Sequence, residues 1–138
     1  MTRRMLLLLS LAACLSADSE KDARDLIASA AGALSAGKVE LFLDYFDRAM
    51  PDFDKLRYNV ESLLSQADVS CSIEVTGNEG DDAERTLTLD WILETEHKDN
   101  SPGGTRRQKT VRVRIKKTGK KWRIVSFEPL DLFASPGG

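Results

Sequence analysis

Helical spacing of apolar residues in the first half of the chain, and two-residue alternation in the second, predict an α+β fold of three helices followed by a four-stranded antiparallel sheet. The clearest signal is Leu87 to Leu93, Leu-Thr-Leu-Asp-Trp-Ile-Leu, where Leu87, Leu89, Trp91 and Leu93 share one face of a strand and Thr86, Thr88, Asp90 and Glu94 the other. The helices before it need an apolar surface to rest on, and the strands after it widen that surface. With 138 residues, 41% of them apolar and 30% charged, the chain has room for one domain with a sizeable core.

The first 17 residues are set apart from the fold. Arg3 and Arg4 precede an apolar run from Met5 to Ala13, shorter than the roughly 20 residues that span a bilayer, which is the layout of an export signal. The run Leu11-Ala12-Ala13-Cys14 resembles the lipobox of bacterial lipoproteins. The resemblance implies cleavage before Cys14, diacylation of its thiol and a periplasmic or outer-surface envelope protein held to the membrane through its lipid alone. The alternative is a soluble secreted protein cleaved after Ala17, although Leu15 is larger than such sites prefer at that position. Either cleavage leaves Cys71 as the one unacylated thiol at most, so no internal disulfide is expected. Loss of Arg3 and Arg4 leaves 18 basic against 22 acidic residues, a balance unsuited to nucleic-acid binding.

The domain is expected over residues 18–133, with 134–138 a disordered tail. Asp18 or Ser19 caps a first helix whose stripe of Ala23, Leu26, Ile27, Ala30, Ala31 and Leu34 ends at Gly37. A second helix, Lys38 to Ala49, carries Val39, Phe42, Leu43 and Phe46 inward and ends at Pro51. Asp52 caps a third, from about Phe53 to Gln66, with Phe53, Leu56, Val60, Leu63 and Leu64 inward. From Asp68 the period is two. Val69, Cys71, Ile73 and Val75 face the core, and a polar turn at Gly77 to Asp82 leads back into the Leu87 strand.

After a loop at Asp99 to Gly104, Val111, Val113 and Ile115 alternate with Arg112, Arg114 and Lys116, whose charges oppose the acids of the preceding strand. Thr118-Gly119-Lys120-Lys121 suits a two-residue type II′ turn. In that register Ile115 faces Ile124 and Val113 faces Ser126, so Trp122, Ile124 and Ser126 point inward. Val125 and Phe127 then point outward beside Ile92 and Arg112. Such a patch is covered by Pro129 to Phe133, relieved by a bulge in the last strand, or buried in a homodimer formed through the outer sheet face.

Three helices, a four-stranded meander and the closing strand Trp122-Arg123-Ile124-Val125-Ser126-Phe127 resemble the nuclear transport factor 2-like superfamily, also called cystatin-like, over about Ser19 to Phe133. The resemblance implies a curved sheet wrapped as a cone around a helix, with a pocket at the open end. Such pockets serve isomerases, dehydratases and hydrolases in some members and binding or dimerisation modules in others. Here the pocket would be lined by Phe42, Tyr45, Phe46, Tyr58, Leu89, Trp91, Val113, Trp122 and Ile124 and would accept a small apolar ligand.

The catalytic version needs a carboxylate in an apolar pocket. The inward strand positions supply no Asp or Glu, and Glu74, Asp90, Glu94 and Glu96 fall on the opposite face. No residue is therefore assigned a catalytic role. Asp44 or Asp47 with Tyr58 is the enzyme alternative, an isomerase or hydrolyase. His97 stands alone, so neither a metal site nor a cofactor is expected. These readings favour a non-catalytic binding or interaction module, with a homodimeric structural envelope protein as a further alternative.

Overall fold

A computed structural model describes the backbone of residues 2–134 and the side chains of residues 18–134. The expectations for the Cys14 thiol, for cleavage and for residues 135–138 lie outside the described residues. Helix α1 spans Thr2–Ser35, α2 Val39–Leu43 and α3 Phe53–Gln66, followed by β1 Ala67–Gly80, β2 Glu84–His97, β3 Thr105–Thr118, β4 Lys121–Glu128 and a 3-10 turn at Leu130–Phe133. The strands form one antiparallel sheet in the order β1-β2-β3-β4, with the helices against its inner face.

Alternation along β2 is as its sequence requires. Leu87, Leu89, Trp91 and Leu93 are buried, as are Val111, Val113 and Ile115 opposite them on β3. Outside, Glu94 pairs with Arg106 at 3.8 Å and Glu84 with Arg114, and Gln108 Nε2 donates to the Asp90 carboxylate at 3.1 Å. The β1–β2 connection is tighter than the polar run suggests, because β1 continues to Gly80 past a bulge between Val75 and Gly77. Gly80 has φ 140°, and a Cβ there would lie 2.3 Å from the Glu84 carbonyl oxygen, so the turn demands glycine.

Three expectations are corrected by the helical half. No helix starts at Asp18 or Ser19, since α1 runs through both, and the Ser19 hydroxyl instead accepts a hydrogen bond from Arg85. Asp52 does precede α3, but in a left-handed conformation and with no side-chain cap. The second helix ends at Leu43 rather than Ala49. There the backbone leaves the helix to pair with the border of β4: Ile124 N donates to Tyr45 O and Asp47 N to Ile124 O, both at 2.8 Å. Satisfying the exposed amides of a border strand outweighs continuing a helix for two more turns.

The last strand departs from simple alternation at one residue. Thr118 faces Lys121 across the two-residue turn, with φ 63° at Gly119, and Ile115 faces Ile124 as expected. The register then slips, so that Ser126 faces Arg114 and Phe127 faces Val113. Val125 is the extra residue of a β-bulge, and one extra residue reverses the faces of all that follow. Phe127, expected outward, is therefore buried at 3% exposure. The apolar patch expected with Ile92, Arg112 and Val125 is dissolved: Ile92 and Val125 are half-buried and Arg112 is exposed.

Candidate functional site

The inner surface of the sheet and the helices meet in an aromatic cluster. Trp91 packs edge-on against Phe127 and Phe133, each 5.7 Å between ring centres, while Phe42 touches Phe46 at 5.0 Å and Phe133 at 5.5 Å. Phe133 arrives from the 3-10 turn after β4. Leu132 beside it is fully buried, and the turn is fastened by Arg107 Nη1 donating to the Leu132 carbonyl at 2.8 Å. Edge-to-face rings at these separations leave little free volume between them.

The residues expected to line a cone pocket separate into three groups. Phe42, Leu89, Trp91, Val113 and Ile124 are packed into the core, each at most 1% exposed. Tyr45 and Trp122 line a groove at the surface, which the buried Phe46 reaches from the core. Tyr58 belongs to neither, lying 72% exposed on the outer side of α3. The sequence gives Tyr58 no inward period, since it falls between Leu56 and Val60 on the helix.

That groove has a volume of about 870 Å³ and runs between α1, the α2 segment and the β3–β4 turn. Asp22 and Asp25 edge it on one side and Lys120, Lys121 and Arg123 on the other, over a floor that includes Leu26, Phe46 and Trp122. Asp44 and Asp47, the acids of the enzyme alternative, are also here rather than inside. Asp44 accepts from Arg48 at 3.0 Å, and Asp47 Oδ1 accepts from the Ala49 amide at 2.9 Å. The Trp122 indole N–H is buried without a hydrogen-bond partner, and Lys117 Nζ lies 5.9 Å from the centre of the ring.

Among the described residues, the buried polar side chains are Ser19, Arg85 and Thr95. Arg85 takes the inner-facing position before Leu87 on β2 and reaches the start of α1. Its guanidinium donates to Asn78 Oδ1 at 2.8 Å, Ser19 Oγ at 3.0 Å and the Asn78 carbonyl at 3.3 Å, while Asn78 Nδ2 donates to the Glu20 carbonyl at 3.1 Å. Arg85 shares the parity of Leu87 and Leu89 in the sequence, and a lone cation at an apolar-face position was the available signal for it. Cys71 is half-buried under α1, and burial pushes its thiol up despite the opposing pull of Ser35 and the Trp91 indole. Although that indole N–H makes no hydrogen bond of ordinary length, it is close enough to Cys71 to favour the thiolate. No three His, Cys, Asp or Glu side chains among the described residues come together as metal ligands.

No family model matches the chain, and none of the curated proteins does. Solved structures are similar in fold. A candidate scytalone dehydratase from Novosphingobium aromaticivorans DSM 12444 superposes with a TM-score of 0.68 at 9% identity, over 92% of this chain and 85% of that one. A ketosteroid isomerase-like protein from Erwinia carotovora atroseptica SCRI1043 gives 0.64 at 8% identity, over 78% and 92%. A nuclear transport factor 2-like protein of unknown function from Shewanella oneidensis MR-1 gives 0.60 at 10% identity, over 78% and 94%. The chain has the nuclear transport factor 2-like fold. At such identities the likeness carries architecture and no activity across.

Proposed function

We propose that this protein is an exported, lipid-anchored, non-catalytic interaction module that meets its partners on the outside of the cone. The observation that supports the reading is the closure of the interior by Trp91, Phe127, Phe133 and Phe42. A catalytic carboxylate of this fold works inside an apolar pocket, yet Asp44 and Asp47 lie in the outer groove. The small apolar ligand considered for the cone would have to displace packed aromatic rings. Anchoring rests on Leu11-Ala12-Ala13-Cys14, and two acyl chains suffice for stable attachment where one does not.

Two measurements test it. The folded protein should take up no anilinonaphthalene sulfonate in a saturable manner, and a saturable apolar site in wild type would remove the closed-interior premise. In a bacterial host wild type should incorporate labelled palmitate and fractionate with membranes, whereas Cys14→Ser should do neither. An unlabelled wild-type protein would leave simple secretion as the route.

A further inference from the structure

We propose that the tip of the β3–β4 hairpin, Lys116 to Arg123, is the surface on which the anchored domain rests against anionic lipid headgroups. The proposal builds on the lipid anchor at Cys14 and adds the face that meets the bilayer. Lys116, Lys117, Lys120, Lys121 and Arg123 are all exposed, and among the described residues none of them is in an ion pair. Lys117 lies over the Trp122 ring, and Lys116 faces Glu84 across the β2–β3 pair.

Topology brings this hairpin to the end of the molecule where the anchor emerges. Arg85 and Asn78 bind Ser19 and the Glu20 carbonyl, which fixes α1 at these two residues to the β1–β2 hairpin. Glu84, next to Arg85, is the register partner of Lys116, and Lys117 N donates to the Ala83 carbonyl at 2.9 Å. Lys120, Lys121 and Arg123 share the outer groove with Asp22 and Asp25 of α1. Cys14 is five residues before Ser19, a span of no more than about 18 Å even when fully extended. A diacylated Cys14 therefore holds this end, and not the far end with Lys38 and Lys98, at the membrane surface.

Acids also lie at this end, but two of those in the neighbouring turn, Asp81 and Glu84, are engaged within the domain. Asp81 Oδ1 accepts the amides of Ala83 and Glu84 at 2.9 Å, and Glu84 is bound to Arg114. Asp22 and Asp25 share the groove with Lys120 and Lys121 but make no ion pair with them, so the hairpin lysines remain open to counter-charge from outside. Basic residues beside a membrane anchor supply the second, electrostatic component of attachment.

The test uses the full chain, purified from a bacterial host, on vesicles of phosphatidylcholine alone and of phosphatidylcholine with phosphatidylglycerol. Sedimentation with the neutral vesicles reads the acyl anchor by itself, so failure there removes the anchor and not the hairpin contact. Amine labelling followed by mass spectrometry reads the hairpin. Lys116, Lys117, Lys120 and Lys121 should be protected on phosphatidylglycerol vesicles at low salt, with protection lost at high salt, while Lys38 and Lys98 label as in solution. Lys116→Gln, Lys117→Gln, Lys120→Gln and Lys121→Gln together should weaken the added attraction to anionic over neutral vesicles by about tenfold or more. Their exposed positions should leave the thermal midpoint unchanged. Equal labelling of these lysines with and without phosphatidylglycerol, or unchanged partitioning of the fourfold variant, overturns the proposal whether or not the anchor is present.

Discussion

Arg85 is the residue whose removal should be felt most widely for its size. At 4% exposure and with no carboxylate in ion-pair contact among the described residues, its charge is met by Asn78, Ser19 and the Asp81 carbonyl. Arg85→Ala strands those partners and should cost about 2–3 kcal/mol in urea unfolding; Arg85→Lys, which cannot fork between them, should recover little of it. Cys71 is a quieter case. Because its thiol is held above the usual range, the thiolate is scarce at neutral pH and becomes abundant only as pH rises past that raised value. In a Cys14→Ser background, disulfide-exchange labelling at pH 7 should be slow in the folded protein and fast in urea.

Acid sensitivity belongs to this scale as well. The amides of Ala83 and Glu84 hold the Asp81 carboxyl low, and Arg114 does the same for Glu84. A carboxylate with a depressed folded value adds stability above its unfolded value and loses it as pH falls through the folded one. The β1–β2 turn should therefore loosen only below about pH 4, seen as faster amide exchange over Asp81–Arg85. Asp81→Asn should move the onset.

Among the elements, β4 and the segment after α2 separate what the sequence spells out from what tertiary contacts decide. Parity along β2 and β3 was legible, because hydrophobic and polar residues alternate there over Leu87–Leu93 and Val111–Lys116 with Ile92 as the one apolar residue out of phase. The pairing of Ile115 with Ile124 followed from the turn glycine. The bulge at Val125 was not fixed by local pattern: Ile124, Val125 and Phe127 are all apolar, so either face reads as core until Phe46, Trp91 and Phe133 are seen to receive Phe127. A bulge was one of the three outcomes open from the sequence, whereas the end of α2 was invisible in it. Tyr45 and Phe46 keep a helical period, and only the exposed border of β4 explains why the chain straightens. Deleting Val125 should turn Phe127 to solvent and abolish cooperative unfolding. Phe127→Ala should lower stability by about 3–5 kcal/mol, and Phe127→Lys should unfold the domain rather than dissociate a dimer.

At the scale of the whole molecule, the C-terminal turn decides whether this cone is open or shut. Phe133 and Leu132 are fully buried although they follow the last strand. A chain ending at Glu128 should expose Phe42, Trp91 and Phe127 together, bind anilinonaphthalene sulfonate and melt at a lower temperature. The site considered from sequence, a ring of pocket residues, was legible as a list of apolar side chains but not as a filled interior. Occupancy depends on a residue some forty positions distant from Trp91, and periodicity carries no information on that.

The short pairing of Tyr45 and Asp47 with Ile124 also determines how the domain can polymerise. It covers the β4 border at Ile124, whereas β1, fourteen residues long, is a margin with no such cover along its length among the described residues. Lateral growth from one margin can yield a pair, whereas growth from two yields a ribbon without end. A proline at Tyr45 or Asp47 that dislodged the cover would therefore convert a self-limiting molecule into one competent for fibre formation, with turbidity that rises with concentration.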